Sequence, residues 1–514
     1  MGQPGRRLPV KSVIVAAALL LWTATACWHA FKPLPEGAHV HGSTVAVDPA
    51  SLHFLTDVTS ANFLGERSAQ PGIHAATLEL VANAKDFLLL DYFLFNSQPG
   101  PLGELRYEAG IRPVASELGK ALLALRAEQP GLPILVIVDP INSYYRRSRL
   151  PPELDALARG GIDVVITKLD PLRDSNPVYS TSWRLLLGWW LKATNRGRWP
   201  NVLDDAGPTV SFGALSRIPH FKANHRKVAL TGDGAGSLVG IISSGNPHDA
   251  SSAHSNVALQ LGGEALRPLL RSELAIARMS GWQPRAANAA LATLAQQLAQ
   301  PSSQPSSNPA PEASGSDTTA TILTEGAIRT ALLEALAATG SDDAIDIAQF
   351  YFSDRQVITA LLEAARRGAS VRVVLDPNKD AFGFEKSGIP NREVGSELIA
   401  ASDGAIHLRW YRTHGEQFHS KLAAIRRGDR LWLLLGSANF TRRNLGDYNL
   451  EADVAIDAPA NSELAADVAT WFEALWSNRP GAQEFTADAE LYAEPSQARY
   501  WLYRFQEASG LSTF

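Results

Sequence analysis

The most informative short pattern in the sequence is a histidine followed two positions later by a lysine, present in each half of the chain. His225 and Lys227 stand in NHRK, His419 and Lys421 stand in FHSK, and each pair leads into a short apolar run. An imidazole serves as nucleophile or proton carrier near neutral pH, and an ammonium group holds negative charge. The two pairs therefore predict acid–base or nucleophilic chemistry on an anionic group.

The two pairs belong to a longer repeat. Asn246 ends the string ISSGN 21 residues after His225, and Asn439 ends LGSAN 20 residues after His419. Two further intervals match. Asn246 and Asn439 are each followed 10 residues later by another asparagine, Asn256 or Asn449, and 36 or 37 residues later by a tryptophan, Trp282 or Trp476. A third pair, His220 and Lys222, has no counterpart in this register, so His220 is interpreted as a loop or supporting residue.

Each half also presents its elements in the same order. A helix-like segment (HAATLELVANAK or AIRTALLEALAATG) precedes an aromatic strand (FLLLDYFLFN or AIDIAQFYF), and a second helix then leads to a buried strand ending in Asp-Pro. Short apolar strands that alternate with helices predict an α/β fold whose sheets are covered on both faces. Asp139 and Asp376, at the two strand ends, are interpreted as turn residues before proline.

A Pro/Ser-rich segment, QPSSQPSSNPAPEASGSDTTA from Gln300, separates the halves and has the composition of a linker. The predicted organisation is a signal segment at 1–27, a first repeat at 40–298, a linker at 299–319, a second repeat at 320–480 and a C-terminal tail at 481–514.

Composition limits the class of protein. The 514 residues are 45% hydrophobic and 19% charged, as in a globular protein of two or three domains, and one cysteine excludes an internal disulfide framework. The net charge of −5 provides no general attraction to nucleic acid.

The N-terminus has the features of an export signal. Arg6, Arg7 and Lys11 precede an apolar stretch from Ser12 to Ala26, of about signal-peptide length. Ala-Thr-Ala before Cys27 resembles a bacterial lipobox, which implies lipidation of Cys27; an ordinary signal peptide and an uncleaved anchor are the alternatives. All three predict that the rest of the chain lies outside the cytoplasm, in a bacterial cell envelope.

The paired strings resemble the two motifs of the phospholipase D superfamily. NHRKVALTGDG is similar to the first motif of its bacterial cardiolipin synthase-like branch, and HSK with GSANFTRRNLGDYNLE is similar to the second. The resemblance extends from about His74 to Trp476. It implies two α/β/α sandwich repeats packed as a pseudo-twofold dimer within one chain.

The resemblance also implies a mechanism. One neutral histidine attacks phosphorus and the other protonates the leaving oxygen, giving a phospho-histidine that water or an alcohol then opens. Lysines and asparagines would hold the non-bridging oxygens, so that no metal and no cofactor are expected. The predicted catalytic set is His225, Lys227, Asn246, His419, Lys421 and Asn439.

Two acidic residues are candidate supporting groups. Asp233 lies one position later than the family spacing after the first lysine. Glu451 follows the second asparagine, and in the register of matched asparagines its counterpart in the first half is Ala258. An asymmetric centre is therefore predicted.

The first half carries an insertion at about 170–215, since Asp139 and His225 are 86 residues apart but Asp376 and His419 are only 43. It contains TSWRLLLGWWLKATNRGRW, and its Trp183, Trp189 and Trp190 among basic residues predict contact with a membrane interface. A buried helix that covers the sheet is the alternative.

These features predict an exported enzyme that acts on phospholipids at a membrane surface, with water or an alcohol as acceptor and no nucleic acid partner. A phospholipase D-family nuclease and a non-catalytic lipid-binding envelope protein are the alternatives.

Overall fold

The computed structural model describes residues 10–61, 67–98, 111–145, 150–191, 197–204, 207–299, 317–381, 384–478 and 483–514. Strands of the described residues are β1 Val45–Ala46, β2 His53–Ala61, β3 Arg67–Pro71, β4 Leu88–Tyr92, β5 Ile134–Val138, β6 Asp163–Ile166, β7 Lys227–Gly232, β8 Leu238–Ser243, β9 Asn256–Gly262, β10 Thr319–Thr324, β11 Ala344–Gln349, β12 Ser370–Leu375, β13 Asp380–Ala381, β14 Phe384–Glu385, β15 Ile406–Tyr411, β16 Lys421–Arg427, β17 Arg430–Gly436, β18 Ala452–Pro459 and β19 Thr486–Asp488.

The α-helices of the described residues are α1 Val10–Phe31, α2 Gly72–Ala82, α3 Val114–Glu128, α4 Pro152–Arg159, α5 Pro177–Ser182, α6 Phe212–Leu215, α7 Arg267–Met279, α8 Ala289–Ala299, α9 Gly326–Ala337, α10 Arg355–Arg366, α11 Asn391–Ala401, α12 Arg442–Leu445, α13 Glu463–Ser477 and α14 Gln497–Ser509. A short π-helix, Trp183–Leu187, follows α5 directly.

Two large mixed sheets repeat one topology. The first has the order β3-β2-β9-β8-β7-β4-β5-β6, and the second has the order β1-β10-β18-β17-β16-β11-β12-β15-β19. In each, a central strand pairs in parallel with the Asp-Pro strand on one side and antiparallel with the strand that starts at the motif lysine on the other. The predicted α/β fold with two equivalent repeats is confirmed.

The central strands are apolar on both faces because each sheet is covered on both sides. Every residue of LLLDY in β4 and of ILVIV in β5 is buried, the pattern expected for parallel strands between two layers. Helices α2, α3 and α4 pack on the outer face of the first sheet, and helices α9, α10, α11 and α14 pack on the outer face of the second. The inner faces share one hydrophobic core, in which α7, α8 and α13 also take part.

The halves make reciprocal contacts where their inner faces meet. The amide of His225 donates to the carbonyl of Leu450 (2.8 Å), and the amide of Ser255 donates to the carbonyl of Gln417 (3.0 Å). Each bond joins the segment before one motif histidine to the segment before β9 or β18 of the other half. This exchange brings the two motifs together as a pseudo-twofold dimer would.

The second sheet extends beyond the segment predicted for it. Strand β1 pairs with β10 in the register Val45↔Ala320, and β19 pairs with β15 in the register Trp410↔Ala487. Tyr503 of α14 is fully buried in the core of the second half. The segments predicted as the start of the first repeat and as a separate tail therefore complete the second. Strands of two and three residues are too short to leave a periodic signal in sequence.

The N-terminal helix α1 is continuous and longer than the apolar stretch predicted for it. It runs through Cys27, which is exposed, and is long and apolar enough to cross a membrane. Its C-terminal half packs against α5, so it contacts the predicted insertion.

Candidate active site

A cavity of about 370 Å³ lies between the two halves. Both motif histidines and both motif asparagines line it. Its remaining wall is largely aromatic and aliphatic, with Phe93, Ile141, Tyr145, Leu203, Ile218, Phe221, Phe350, Tyr351 and Phe514 among the lining residues. The structure thus brings four predicted site residues, two from each half, to one apolar cavity.

The histidine and lysine of each motif have equivalent positions in the two halves. Lys227 and Lys421 are the first residues of β7 and β16, and each donates its Nζ hydrogen to the carbonyl of the histidine two positions earlier. Each Nζ lies 5.3 Å from the ring centroid of a phenylalanine, Phe93 or Phe350, that lines the cavity. The same phenylalanine lies 5.0 Å from the histidine ring of its own half.

The Asp-Pro aspartates have a second role that the sequence did not reveal. Asp139 accepts a hydrogen bond from the amide of Asn224 (2.7 Å), and Asp376 accepts one from the amide of Phe418 (2.7 Å). Asn224 and Phe418 each directly precede a motif histidine. Both aspartates therefore fix the segment that positions the imidazole, in addition to capping their own turns. A side chain that reaches 42 or more residues along the chain leaves no local pattern.

The two histidines have different orienting partners. Nδ1 of His225 lies 3.0 Å from Oε2 of Glu451, whereas Nδ1 of His419 lies 3.1 Å from Oδ1 of Asn256. In both cases the partner comes from the opposite half. Because Nδ1 is engaged, Nε2 of each ring is left for the cavity, but only His225 has a carboxylate directly behind it.

Both partners are held by further hydrogen bonds. Glu451 accepts from the hydroxyl of Ser437 (2.5 Å) and from the amide of Asn444. Asn256 donates to Oδ2 of Asp57 (3.2 Å), whose Oδ1 accepts from the amide of Ile73 (2.9 Å). A carboxyl group thus stands behind His419 as well, but one amide group further away.

The register predicted from the matched asparagines is wrong at one point. The amide of Ser244 donates to Val257 and the amide of Ser437 donates to Ala452, which makes Val257 equivalent to Ala452. The counterpart of Glu451 is therefore Asn256, not Ala258. The equal spacing of ten residues to Asn449 is a coincidence, because the second half has two more residues between its asparagine and the next strand.

Burial lowers the pKa of both histidines. The pKa of His225 falls to about 4, because desolvation and Lys227 outweigh the opposing effect of Glu451. The pKa of His419 also lies well below its usual value, through burial and then the charge of Lys421. Burial opposes ionisation of Glu451, yet His225 and Lys227 keep its pKa below the ordinary value. Burial therefore favours the neutral form of both rings.

The two motif lysines are fully buried beside the cavity, where the charged ammonium form is costly. Burial lowers the pKa of Lys227 to about 7. The pKa of Lys421 lies well below its ordinary value, through burial and then repulsion from Lys227. A phosphate oxygen near both ammonium groups would offset this penalty.

Asn246 and Asn439 occupy equivalent positions at the ends of β8 and β17. Oδ1 of Asn246 accepts from the amide of Leu94 (3.1 Å). Oδ1 of Asn439 is buried and has no hydrogen-bond partner among the described residues. Both amides line the cavity.

Asp233 and His220 lie apart from this arrangement. Asp233 is in the turn at the far end of β7, where its carboxylate accepts from the amides of Ala235 (2.7 Å) and Ser237 (3.0 Å), so its position supports a turn-stabilising role. Nδ1 of His220 lies 2.8 Å from the hydroxyl of Ser180. Within the part of the chain that the structure describes, no three His, Cys, Asp or Glu side chains converge as a metal site would require.

The three insertion tryptophans have different surroundings. Trp183 is half-buried, donates from Nε1 to Ser216 (3.0 Å) and packs edge-on against His220. Trp189 and Trp190 are 73% and 83% exposed. Trp183 therefore packs into the insertion, and the other two face solvent.

Comparisons with known proteins bear on the fold of this chain. Residues 332–476 match the family model described as "Cardiolipin synthase, PLD-like domain". A crystal structure of phosphatidylserine synthase from Haemophilus influenzae Rd KW20 is similar over 91% of this chain and 97% of that chain, at 12% sequence identity and a TM-score of 0.55. Comparison with curated protein sequences returns no match.

Two other solved structures match less closely. Polyphosphate kinase from Porphyromonas gingivalis is similar over 84% of this chain and 50% of that chain, at 14% identity and a TM-score of 0.41. Nuc, a phospholipase D family member from Salmonella typhimurium, matches 32% of this chain and 97% of that chain, at 21% identity and a TM-score of 0.24.

Residues 332–476 therefore match the phospholipase D-like domain that the second motif predicted, and the fold of the whole chain is similar to that of the phosphatidylserine synthase.

Proposed function

We propose that this protein is a phospholipid phosphodiesterase or phosphatidyltransferase that works through a phospho-histidine on His225. One observation carries the proposal: a histidine from each half lines a single apolar cavity, with Nδ1 held by a buried acceptor from the other half. Such a pair provides a nucleophile and a separate proton carrier without competition between the two tasks.

The different partners assign the two tasks. A phosphorylated imidazole that keeps its Nδ1 hydrogen carries positive charge on the ring, and the carboxylate of Glu451 is placed to neutralise it. The neutral amide of Asn256 provides no such charge to His419. His419 therefore holds a proton less firmly and suits the role of transferring it. We assign the nucleophile to His225 and the acid to His419.

In the first step, Nε2 of His225 attacks phosphorus and the bond to the headgroup oxygen breaks. That oxygen takes a proton from Nε2 of His419 and leaves as an alcohol. Lys227 and Lys421 stabilise the charge on the non-bridging oxygens, assisted by amide hydrogens of Asn246 and Asn439. The bound anion also offsets the positive field that lowers the pKa of His419, so substrate binding helps that ring to acquire its proton.

In the second step, His419 removes a proton from water or an alcohol, whose oxygen attacks phosphorus and releases His225. Water gives hydrolysis and an alcohol gives phosphatidyl transfer. The step restores both imidazoles and requires no redox partner.

Three features favour a lipid as substrate. The cavity wall is mainly apolar, exposed tryptophans lie in the adjoining insertion, and the N-terminal helix is apolar. The phosphate of a phospholipid can pair with the lysines, and its acyl chains can contact the apolar wall. We further propose that the protein is exported and acts at the envelope membrane.

Lipid product analysis tests the proposal. Purified full-length protein is incubated with phosphatidylglycerol liposomes beside His225→Ala, His419→Ala and the exposed control His407→Ala. We expect wild type and control to release glycerol and to form phosphatidic acid or cardiolipin, and the other two variants to be inactive. Unchanged lipid combined with cleavage of DNA would instead support the nuclease alternative. Lipid binding without any product would support the non-catalytic one.

A further inference from the structure

The N-terminal helix is divided into a free part and a docked part. Its first half is exposed, including Val13 (51%), Leu19 (61%) and Leu20 (72%), and charged side chains are nearly absent from it. The free part, from Val10 to Leu21, is about 18 Å long, so a span of a hydrocarbon core about 30 Å thick also uses the docked part, with the adjoining insertion at the depth of the lipid.

The second half of α1 makes specific contacts with the insertion. Trp22 donates from Nε1 to the hydroxyl of Ser182 (3.1 Å), and Ala26 and Ala30 are buried at 8% and 9% exposure. The amide of Asp174 donates to the carbonyl of His29 (2.9 Å). Small residues at buried positions allow two helices to approach closely, so this contact has the character of a helix–helix interface.

The end of the helix is fixed as well. Lys32 donates from Nζ to the carbonyl of Asp170 (2.7 Å), and Arg173 donates from Nε to the carbonyl of Lys32 (2.8 Å). Removal of the chain before Cys27 would delete Trp22 and Ala26 and divide the helix in the middle of its docked part. These contacts join α1 to the folded protein.

The surface beside α1 continues the apolar character. Leu186, Trp189 and Trp190 are 68%, 73% and 83% exposed, and all three lie in or just after the π-helix that extends α5. Exposed tryptophans are typical of the boundary between lipid chains and headgroups. Val202, 47% exposed, is apolar and also lines the cavity.

We propose that α1 is retained as a membrane anchor and that, with the insertion, it holds the mouth of the cavity against the lipid surface. The occupant that we propose for this surface is a bilayer, because the exposed half of α1 and the exposed tryptophans of the insertion are apolar. The part concerning lipid access rests on the proposed function. Arg6, Arg7 and Lys11 before the apolar stretch favour a cytoplasmic N-terminus, which leaves the catalytic halves on the outer side.

Intact mass tests retention directly. The full-length chain is expressed in a bacterial host, the membrane fraction is washed with carbonate, and the mass and N-terminal peptide of the retained protein are measured beside Cys27→Ser. We expect both proteins to contain residues 10–26 and to stay in the membrane. A mature chain that begins at or near Cys27 would overturn the proposal, as would loss of membrane retention in Cys27→Ser.

A second pair of variants tests docking with the same added hydrophobicity in both. Ala26→Leu with Ala30→Leu crowds the buried face, whereas Ala18→Leu with Ala24→Leu changes exposed positions of the same helix. We expect the first double variant to lose at least about fivefold in activity on liposomes, with unchanged hydrolysis of bis(p-nitrophenyl) phosphate and unchanged membrane retention.

Equal liposome activity in the two double variants would refute the role of docking in lipid access. Inactivity of wild type on both substrates would refute the proposed function and this role with it, whereas the intact mass would still decide whether the anchor is retained.

Discussion

At the scale of single residues, two equivalent histidines differ in what stands behind them. Glu451 and Asn256 occupy matching positions, and each lies close to 3 Å from Nδ1 of the opposite histidine. One is a carboxylate and the other is an amide, so Glu451 favours positive charge on the ring of His225, whereas Asn256 provides no such charge to His419. The two histidines of a site with near-twofold geometry are therefore chemically different.

The first prediction concerns this difference. Glu451→Gln keeps a hydrogen-bond acceptor but removes the charge behind the nucleophile, so we expect kcat to fall by about 100-fold or more, as for other oriented catalytic histidines. Asp57→Asn makes the same chemical change one amide group away from His419, and we expect a loss below about tenfold. Steady-state kinetics on a soluble phosphodiester measures both. Equal losses would contradict the assigned roles.

The second prediction concerns pH. With the pKa of Lys227 at about 7, its ammonium form is present below that pH and lost above it, and His225 is neutral above about 4. We expect kcat/KM, which reports the free enzyme, to rise above about pH 4 as His225 loses its proton and to fall toward pH 7 as Lys227 loses its charge; loss of the proton of His419, whose pKa is also lowered, adds to that fall. Lys227→Arg should move the basic limb upward, because arginine keeps its charge. The exposed control Lys120→Arg should leave it in place; an unchanged limb in Lys227→Arg would contradict this reading.

At the scale of elements, the candidate site residues lie at or just beyond the ends of strands. The lysines begin β7 and β16, the asparagines follow β8 and β17, and the aspartates that fix the histidine segments follow β5 and β12. The sequence predicted these strands well, because buried strands are continuous apolar runs ended by turn residues. It could not predict Asp57, whose carboxyl reaches Asn256 from a strand about 200 residues earlier in the chain.

The C-terminal segment also forms part of the cavity wall. Phe514 is 5% exposed and its ring lies 6.1 Å from that of Tyr351, and the carbonyl of Ser512 accepts from Arg443 (3.1 Å). The sequence of this segment carries no motif, so its role appears only in the folded chain.

The third prediction follows from that wall. Phe514→Ala enlarges the cavity beside the aromatic residues of the second half, so we expect larger primary alcohols to be accepted more readily in transfer, by a few-fold relative to glycerol. Competition between two acceptor alcohols gives the ratio of products. Leu511→Ala, at a position 42% exposed, is the matched control. An unchanged ratio in Phe514→Ala would show that this residue does not limit the acceptor.

At the scale of the whole molecule, the site exists only where two sheets meet. The repeated order of elements made the two-repeat fold predictable, and both His-x-Lys pairs lie at equivalent places in it. The hydrogen-bond partners of the histidines were not predicted, because each comes from the opposite half and one interval of the apparent register was coincidental. The sequence of the insertion was compatible with membrane contact or with a buried helix. In the structure Trp183 packs inward, and Trp189 and Trp190 face outward.

The fourth prediction concerns the two buried lysines. In the native state the pKa of Lys227 is about 7, below the ordinary value of the unfolded chain, so its charged form destabilises the fold below pH 7 and this penalty disappears as pH rises toward 10.5. Lys227→Met should therefore raise Tm at pH 6, with a difference from wild type that shrinks as pH increases.

Inorganic phosphate should stabilise wild type, by about 2.7 kcal/mol at 100 times its Kd, and should affect Lys227→Met much less. Thermal unfolding with and without phosphate measures both effects. A less stable Lys227→Met combined with no phosphate effect on wild type would contradict the anion site.

The central claim is that the two halves supply a nucleophile and an acid to one phosphorus, and trapping the intermediate tests it most directly. A phosphodiester with a p-nitrophenol leaving group needs no acid, so His419→Ala should release one equivalent of nitrophenolate and stall as a phospho-enzyme, with the phosphoryl group located by mass spectrometry on His225. His225→Ala should give neither the burst nor the adduct. An adduct on His419, or turnover of this substrate by His225→Ala, would contradict the account.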